Sequence, residues 1–208
     1  MDSAEWSVGL SSGASVVLRD LLSQHAETHA YGGRDGFDWE ADLGAFMNQK
    51  DEFRRLALEL ISTGCMNVPG THRLMAMAWA GDNSPEAEIP ARDWLRAFEK
   101  SGYVSDDPWI PAPVDELTLF RGAPSDRRCG LAWTEEKAKA RDFAEFGRGS
   151  GGEGLVFVAL VAPRRVLARF NFHGERECVL DTRGLVMSLV DTVGGSPLDP
   201  CSDLPDGA

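Results

Sequence analysis

The chain lacks any apolar run approaching the roughly 20 residues that a membrane-spanning helix needs, so none is expected. Its first ten residues, MDSAEWSVGL, have no basic segment ahead of an apolar one, which argues against a secretory signal. The four cysteines (Cys65, Cys129, Cys178, Cys201) form no CxxC pair. They read as free thiols in a reducing compartment, not as a zinc site or a disulfide framework. The four histidines form no HExxH pattern. His25 and His29 share a helical i, i+4 spacing, but a metal pair on a helix needs carboxylate or cysteine partners elsewhere, so a solvated face is expected and no metal. Glycine-rich nucleotide motifs are also missing. GRGSGGEG (147–154) carries no P-loop lysine and leads into a strand-like run, so a Rossmann or P-loop site is poorly supported. Basic residues are scarce, at 21 Lys and Arg against 33 Asp and Glu, for a net charge of −12. Phosphate backbones demand a basic stripe, so a broad nucleic-acid surface is disfavoured.

The charge that is present is uneven. Residues 1–110 carry 9 basic against 18 acidic side chains, and residues 111–208 carry 12 against 15. Helical periodicity dominates the acidic half. It predicts helices over 14–30, over 39–63 as one long or two short pieces, over 71–80 with Thr71 as N-cap, and over 91–102 ending at Gly102. The character changes near SDDPWIPAPVDE, whose prolines read as an extended connection. Short β-rich runs follow at 117–122, 130–134, 154–162, 165–172 and 177–181. One helix, 135–147, interrupts them, with Thr134 as its cap. The fold class is therefore α+β and not an alternating βαβ sheet. The expected domains are a helical N-terminal lobe (1–112), a strand-rich core (113–193) and a flexible tail (194–208).

Three short stretches stand out: LFRG (119–122), GLAWT running into a helix that contains DFA (130–144), and ERE (175–177). Each has a plain reading on its own. Arg121 fits a surface arginine at a strand end. Trp133 and Phe143 fit the core. Glu175 and Glu177 fit a charged strand edge, which blunts unwanted pairing.

In this order the three stretches resemble the ADP-ribosyltransferase superfamily, in its arginine–serine–glutamate branch, and in particular its small bacterial and phage members. There an arginine followed by glycine ends the first core strand. A serine-containing strand then runs into a helix ending in Phe-Ala, and a Glu-x-Glu or Gln-x-Glu element opens a late strand. The likeness covers about residues 114–190. It implies a split β-sandwich core behind an N-terminal helical lobe. It also implies NAD as substrate, and transfer of ADP-ribose to a macromolecular acceptor, a protein favoured over nucleic acid, with no membrane partner. It fits a phage or toxin effector in the cytoplasm of a bacterial host.

The chemistry explains why these residue types are needed. The bond between ribose and nicotinamide is glycosidic, and its cleavage passes through a sugar cation that a preplaced carboxylate stabilises. By the resemblance that carboxylate is Glu177. Arg121 would hold the dinucleotide phosphates, since a guanidinium offers several directed donors and a permanent charge. Gly122 would let the backbone approach the nicotinamide amide. Ala132, Trp133 and Thr134 would line the same NAD site. Phe146 would stack on the nicotinamide, whereas Phe143, also set in the site, reads better as packing its helix onto the sheet. Glu175 stands two residues before Glu177, and on an extended backbone both point one way while Arg176 points the other. A carboxylate there suits an arginine acceptor, because it can hold a guanidinium for attack.

The chain departs from the pattern at Ala132, where a serine that supports the glutamate is expected. That support then falls to Thr134, a backbone group or water. Two alternatives stay open: a NAD glycohydrolase with water as acceptor, and a catalytically degenerate interaction module on the same fold.

Overall fold

The structure, a computed structural model, describes residues 54–201 except 56, 59–60, 63–67, 81–84, 88, 108, 148–153, 172–173 and 191–197. The helix expected over 14–30, most of that over 39–63, and His25 with His29 lie outside the described residues. The chain divides into two compact units, Met1–Asn83 and Ser84–Ala208.

In the first unit, residues 54–55, 57–58 and 61–62 are helical, and helix α1 spans Val68–Ala80. Ala57, Leu58, Ile61, Leu74, Met75, Ala78 and Trp79 are buried. Arg54 is buried among them and donates from Nε to the Ala78 carbonyl oxygen at 3.0 Å. Because α1 starts at Val68, Thr71 lies inside its first turn and is not the N-cap.

The second unit opens with helix α2 (Ala91–Ser101), whose buried residues Ala91, Trp94, Leu95, Ala97 and Phe98 recur at helical spacing. Its C-cap is Gly102, with φ 71°, a left-handed value that favours glycine. Among the described residues seven strands follow: β1 (Val104–Ser105), β2 (Leu117–Pro124), β3 (Ala132–Thr134), β4 (Gly154–Val161), β5 (Val166–Phe170), β6 (Glu177–Leu180) and β7 (Ser188–Leu189). They form one sheet in the order β1-β5-β6-β3-β2-β4-β7, and every pairing is antiparallel except β1 with β5. The architecture is α+β. The two units part at Asn83/Ser84, ahead of the boundary at 112/113 read from the sequence. Strand β1 pairs with β5 at Val104↔Ala168, so residues ahead of the prolines already belong to the sheet.

Two features of the sheet position everything that follows. Strand β2 pairs with β4 along its whole length, from Leu117↔Val161 to Pro124↔Gly154, but its register with β3 is Phe120↔Thr134. The sheet thus has a seam where β2 and β3 part. One face carries the core of Leu119, Ala123, Trp133, Phe157, Ala159, Cys178, Leu180 and Met187. Helix α3 (Lys137–Gly147) packs on β2 and β4 with almost no side chain between. A Cβ on Gly122 would lie 1.8 Å from the Ala140 carbonyl oxygen, and one on Gly154 would lie 1.8 Å from that of Ala144.

Two further expectations are corrected. Helix α3 begins at Lys137, and Thr134 accepts the Glu136 amide at 3.1 Å, so the hydroxyl closes the turn before the helix and does not cap its first residue. Cys129 and Cys201 form a disulfide, with Cα atoms 5.7 Å apart, so they are not free thiols. They stand 72 positions apart, a spacing no local motif reports. The tail is correspondingly held near its middle. Leu198 N–H donates to the Met187 carbonyl oxygen at 2.9 Å, and Cys201 N–H to that of Leu185 at 3.3 Å. Cys178 is free and buried, and burial pushes its thiol up to about 12, so it stays protonated. Among the described residues no helix is long and apolar enough to cross a membrane.

Candidate functional site

The three stretches singled out in the sequence come to lie on three neighbouring strands. Glu177 is the first residue of β6 and pairs with Thr134 at the end of β3. Thr134 in turn pairs with Phe120 on β2, and Arg121 is the next residue. The order across the sheet is therefore glutamate, then the alanine–threonine strand, then arginine.

Arg121 occupies the seam. Nη1 donates to the Ala132 carbonyl oxygen at 2.5 Å, and Nε donates to that of Arg127 at 3.1 Å. Nη2 faces Glu86 Oε2 at 3.9 Å. The side chain is only 13% exposed, and that of Glu86 17%. Burial pushes the Arg121 guanidinium below its ordinary value, while the negative charges of Glu86 and Glu177 push back up. It remains a cation, because no burial in a folded protein of this kind removes the arginine proton. Gly130 is a glycine for a steric reason here: its Cβ would meet Arg121 Nη2 at 2.0 Å.

Glu86 gave no signal in the sequence. It lies on a 3-10 turn, Pro85–Ala87, whose buried Pro85 offers its carbonyl oxygen to the Trp94 indole at 3.1 Å. Glu86 Oε1 accepts the Leu131 amide at 2.7 Å, 45 positions away. A contact that distant leaves no mark on periodicity or local motif.

The glutamate end of the site is built by a tight turn. Gly174 and Arg176 have φ of 70° and 45°, both left-handed. The alternation expected over Glu175–Glu177 is therefore corrected: strand geometry starts only at Glu177, and Arg176 breaks the extended backbone that would have turned both carboxylates one way. Thr134 fixes this turn. Its hydroxyl donates to the Glu175 carbonyl oxygen at 2.8 Å, and the Glu135 amide donates to the Arg176 carbonyl oxygen at 3.4 Å. Arg176 also pairs with Glu136 at 3.4 Å, and Arg169 pairs with Glu135.

The remaining predicted residues divide sharply. Trp133 is 2% exposed, lies in the core and donates from Nε1 to the Gly130 carbonyl oxygen at 2.9 Å, so its ring is no ligand platform. Gly122 makes its close approach to α3, a packing reason for glycine that the sequence reading did not include. Phe143 is 38% exposed, so it does not pack α3 onto the sheet; Ala140 and Ala144 do that. The Phe146 side chain lies outside the described residues. Ala132 contributes its carbonyl oxygen to Arg121 and pairs with Val179. No group of three His, Cys, Asp or Glu among the described residues is placed to hold a metal ion.

Chemically, the arrangement offers a buried cation whose Nη2 faces Glu86 beyond hydrogen-bonding reach, and a partly exposed carboxylate two strands away, across β3. Such a pair suits a ligand with an anionic end and a centre that turns cationic. A scan against protein-family models, a search of curated proteins and a search of solved structures each return no match.

Proposed function

We propose that the chain is a mono-ADP-ribosyltransferase that uses NAD as substrate and a macromolecule, with protein arginine favoured, as acceptor. One observation carries the reading: Glu177, the Ala132–Thr134 strand and Arg121 stand side by side on β6, β3 and β2. The core in this reading is of the split-sandwich kind, its two halves joined as one sheet at the Phe120↔Thr134 pairing of β2 with β3.

In this reading the diphosphate of NAD takes the Arg121 edge, and the ribose lies toward Glu177. The C1′–nicotinamide bond breaks and nicotinamide leaves with the electron pair. The Glu177 carboxylate stabilises the positive charge that grows on the sugar. A nitrogen of the acceptor donates its lone pair to C1′, and its proton passes to the Glu175 carboxylate. Thr134 supplies what the absent serine would have supplied, by a different route: it fixes the backbone just before Glu177.

A second reading, a non-catalytic binding module, is favoured by one feature, the missing hydroxyl at Ala132. The two separate with NAD labelled on its adenylate side, incubated with and without bacterial lysate. Transfer to a macromolecule, abolished in Glu177→Gln, is the expected result. Free ADP-ribose alone would make the chain a NAD glycohydrolase. No turnover at all would leave the binding module. Within the first outcome, Glu175→Ala should harm transfer to arginine more than hydrolysis, and equal loss of both would remove the acceptor role.

A further inference from the structure

We propose that Glu86 is a built-in counter-anion of Arg121, a positioning residue that holds the guanidinium at the seam and yields its Nη2 edge to the diphosphate of an incoming dinucleotide. The proposal rests on reading the Arg121 pocket as the anion-binding half of the NAD site. It concerns a residue outside the three stretches that define that site.

Three observations carry it. The first is the split in how Arg121 is held. Nε and Nη1 make hydrogen bonds to backbone carbonyls, while Nη2 lies 3.9 Å from Glu86, beyond hydrogen-bonding reach. The donors that face Glu86 are therefore attracted but not committed, and they are the ones a phosphate oxygen can take. The second is that Glu86 itself is firmly placed. Its other oxygen accepts the Leu131 amide at 2.7 Å, and its turn is tied to α2 through the Trp94 indole and the Pro85 carbonyl. The third is charge. A guanidinium so little exposed needs a nearby anion, and an uncompensated one is strongly destabilising. Glu86 provides that anion until a ligand does.

A phosphate group must then compete with the carboxylate for the same edge. Removing only the charge should favour the ligand. Glu86→Gln does this, because the amide oxygen can still accept the Leu131 N–H. Titration calorimetry with inorganic pyrophosphate and with ADP-ribose should show binding about fivefold tighter in Glu86→Gln than in the wild-type chain. Glu86→Asp, which keeps the charge, should not show the gain. If NAD is turned over, KM should fall in Glu86→Gln by more than kcat changes. A residue that only braced the fold would weaken binding when altered, so unchanged or weaker binding in Glu86→Gln overturns the proposal. Absence of binding to either chain does so as well. Should Glu86→Gln fail to fold, the wild-type chain decides. Saturating pyrophosphate should shift the Leu131 amide resonance, because its acceptor is the carboxylate whose other oxygen then loses the guanidinium edge, and an unmoved Leu131 signal with pyrophosphate bound overturns it. Pyrophosphate binding that tightens in Glu86→Gln without any NAD turnover would leave this inference standing and remove the transferase reading.

Discussion

Arg121 Nη1 donates to the carbonyl oxygen of Ala132 at 2.5 Å, across the seam between β2 and β3. The tie runs to the backbone of the very residue whose side chain departs from the expected serine. A missing hydroxyl at 132 therefore leaves the arginine held, because a carbonyl is present whatever side chain stands there. Thr134 acts on the backbone just before Glu177 through the Glu175 carbonyl.

Replacing Arg121 by lysine tests the tie. Lysine keeps the charge facing Glu86 but cannot serve the Arg127 and Ala132 carbonyls together, since it lacks the planar fork. The part-buried Ala132 carbonyl would lose a good partner at about 1–3 kcal/mol, while the exposed Arg127 carbonyl can turn to water at little cost. Urea denaturation should show Arg121→Lys less stable by about 2 kcal/mol at an unchanged m value. Equal stability would mean that the guanidinium does not hold the seam.

Gly122 gives a second prediction, because its requirement is steric and not conformational. Its Cβ would lie 1.8 Å from the Ala140 carbonyl oxygen and 2.6 Å from the Ala144 amide nitrogen, so Gly122→Ala must move α3 off the sheet. Forced overpacking costs about 1–3 kcal/mol or more. Gly174 is the contrast: its φ is 70° but nothing lies within 4 Å of its Cβ, so Gly174→Ala meets only backbone strain, about 1 kcal/mol. Gly122→Ala should be the more damaging in thermal melts. The reverse order would refute close packing of α3 on β2.

These residues also show what the sequence could and could not say. Alternation in LTLFRGAP marks β2, the continuous β-branched and apolar run GLVFVALV marks β4, and the amphipathic spacing of ARDWLRAFEKS marks α2, because these patterns are written locally. Strands of two residues, β1 and β7, are too short to show a period. The order of the three motifs placed Arg121, Ala132–Thr134 and Glu177, and the sheet brings them onto adjacent strands. Glu86 was not legible, since PEA is an ordinary turn until Leu131 folds against it. Gly122 and Trp133 were legible as unusual, but their reasons, packing on α3 and burial in the core, depend on the tertiary fold.

The disulfide supplies a third prediction. Cys129 adjoins the turn at Arg127 and Gly130 that cradles Arg121, and Cys201 lies on the tail segment bonded to Leu185. Alkylation of the unreduced, denatured chain followed by mass spectrometry should leave both cysteines unlabelled. Reduction should lower stability by about 2–4 kcal/mol, since it opens a long loop in the unfolded state. Full labelling of Cys129 without reductant would remove the bridge and the expected effect with it.

Asp181 sets a pH limit on the second unit. Burial alone pushes its carboxyl up, but the side-chain and backbone hydrogen bonds from Arg183, with the positive charges of Arg183 and Arg165, outweigh this and hold it below its ordinary 3.8. Arg183 grips both oxygens at 2.8 Å and reaches Glu99 on α2 at 2.8 Å. For a carboxylate whose value falls on folding, the unfolded chain binds the proton more readily. Its stabilisation is therefore complete above the unfolded value, about 3.9, and is lost as pH drops through the lower folded one. Arg183 is half-exposed, which screens the pair, so the contribution at neutral pH is about 1 kcal/mol. Asp181→Asn should lower the urea midpoint at pH 7 and at pH 5, and the two chains should converge as pH falls through the lowered folded value. A difference that persists undiminished at pH 2 would assign the loss to shape rather than to the charge of Asp181.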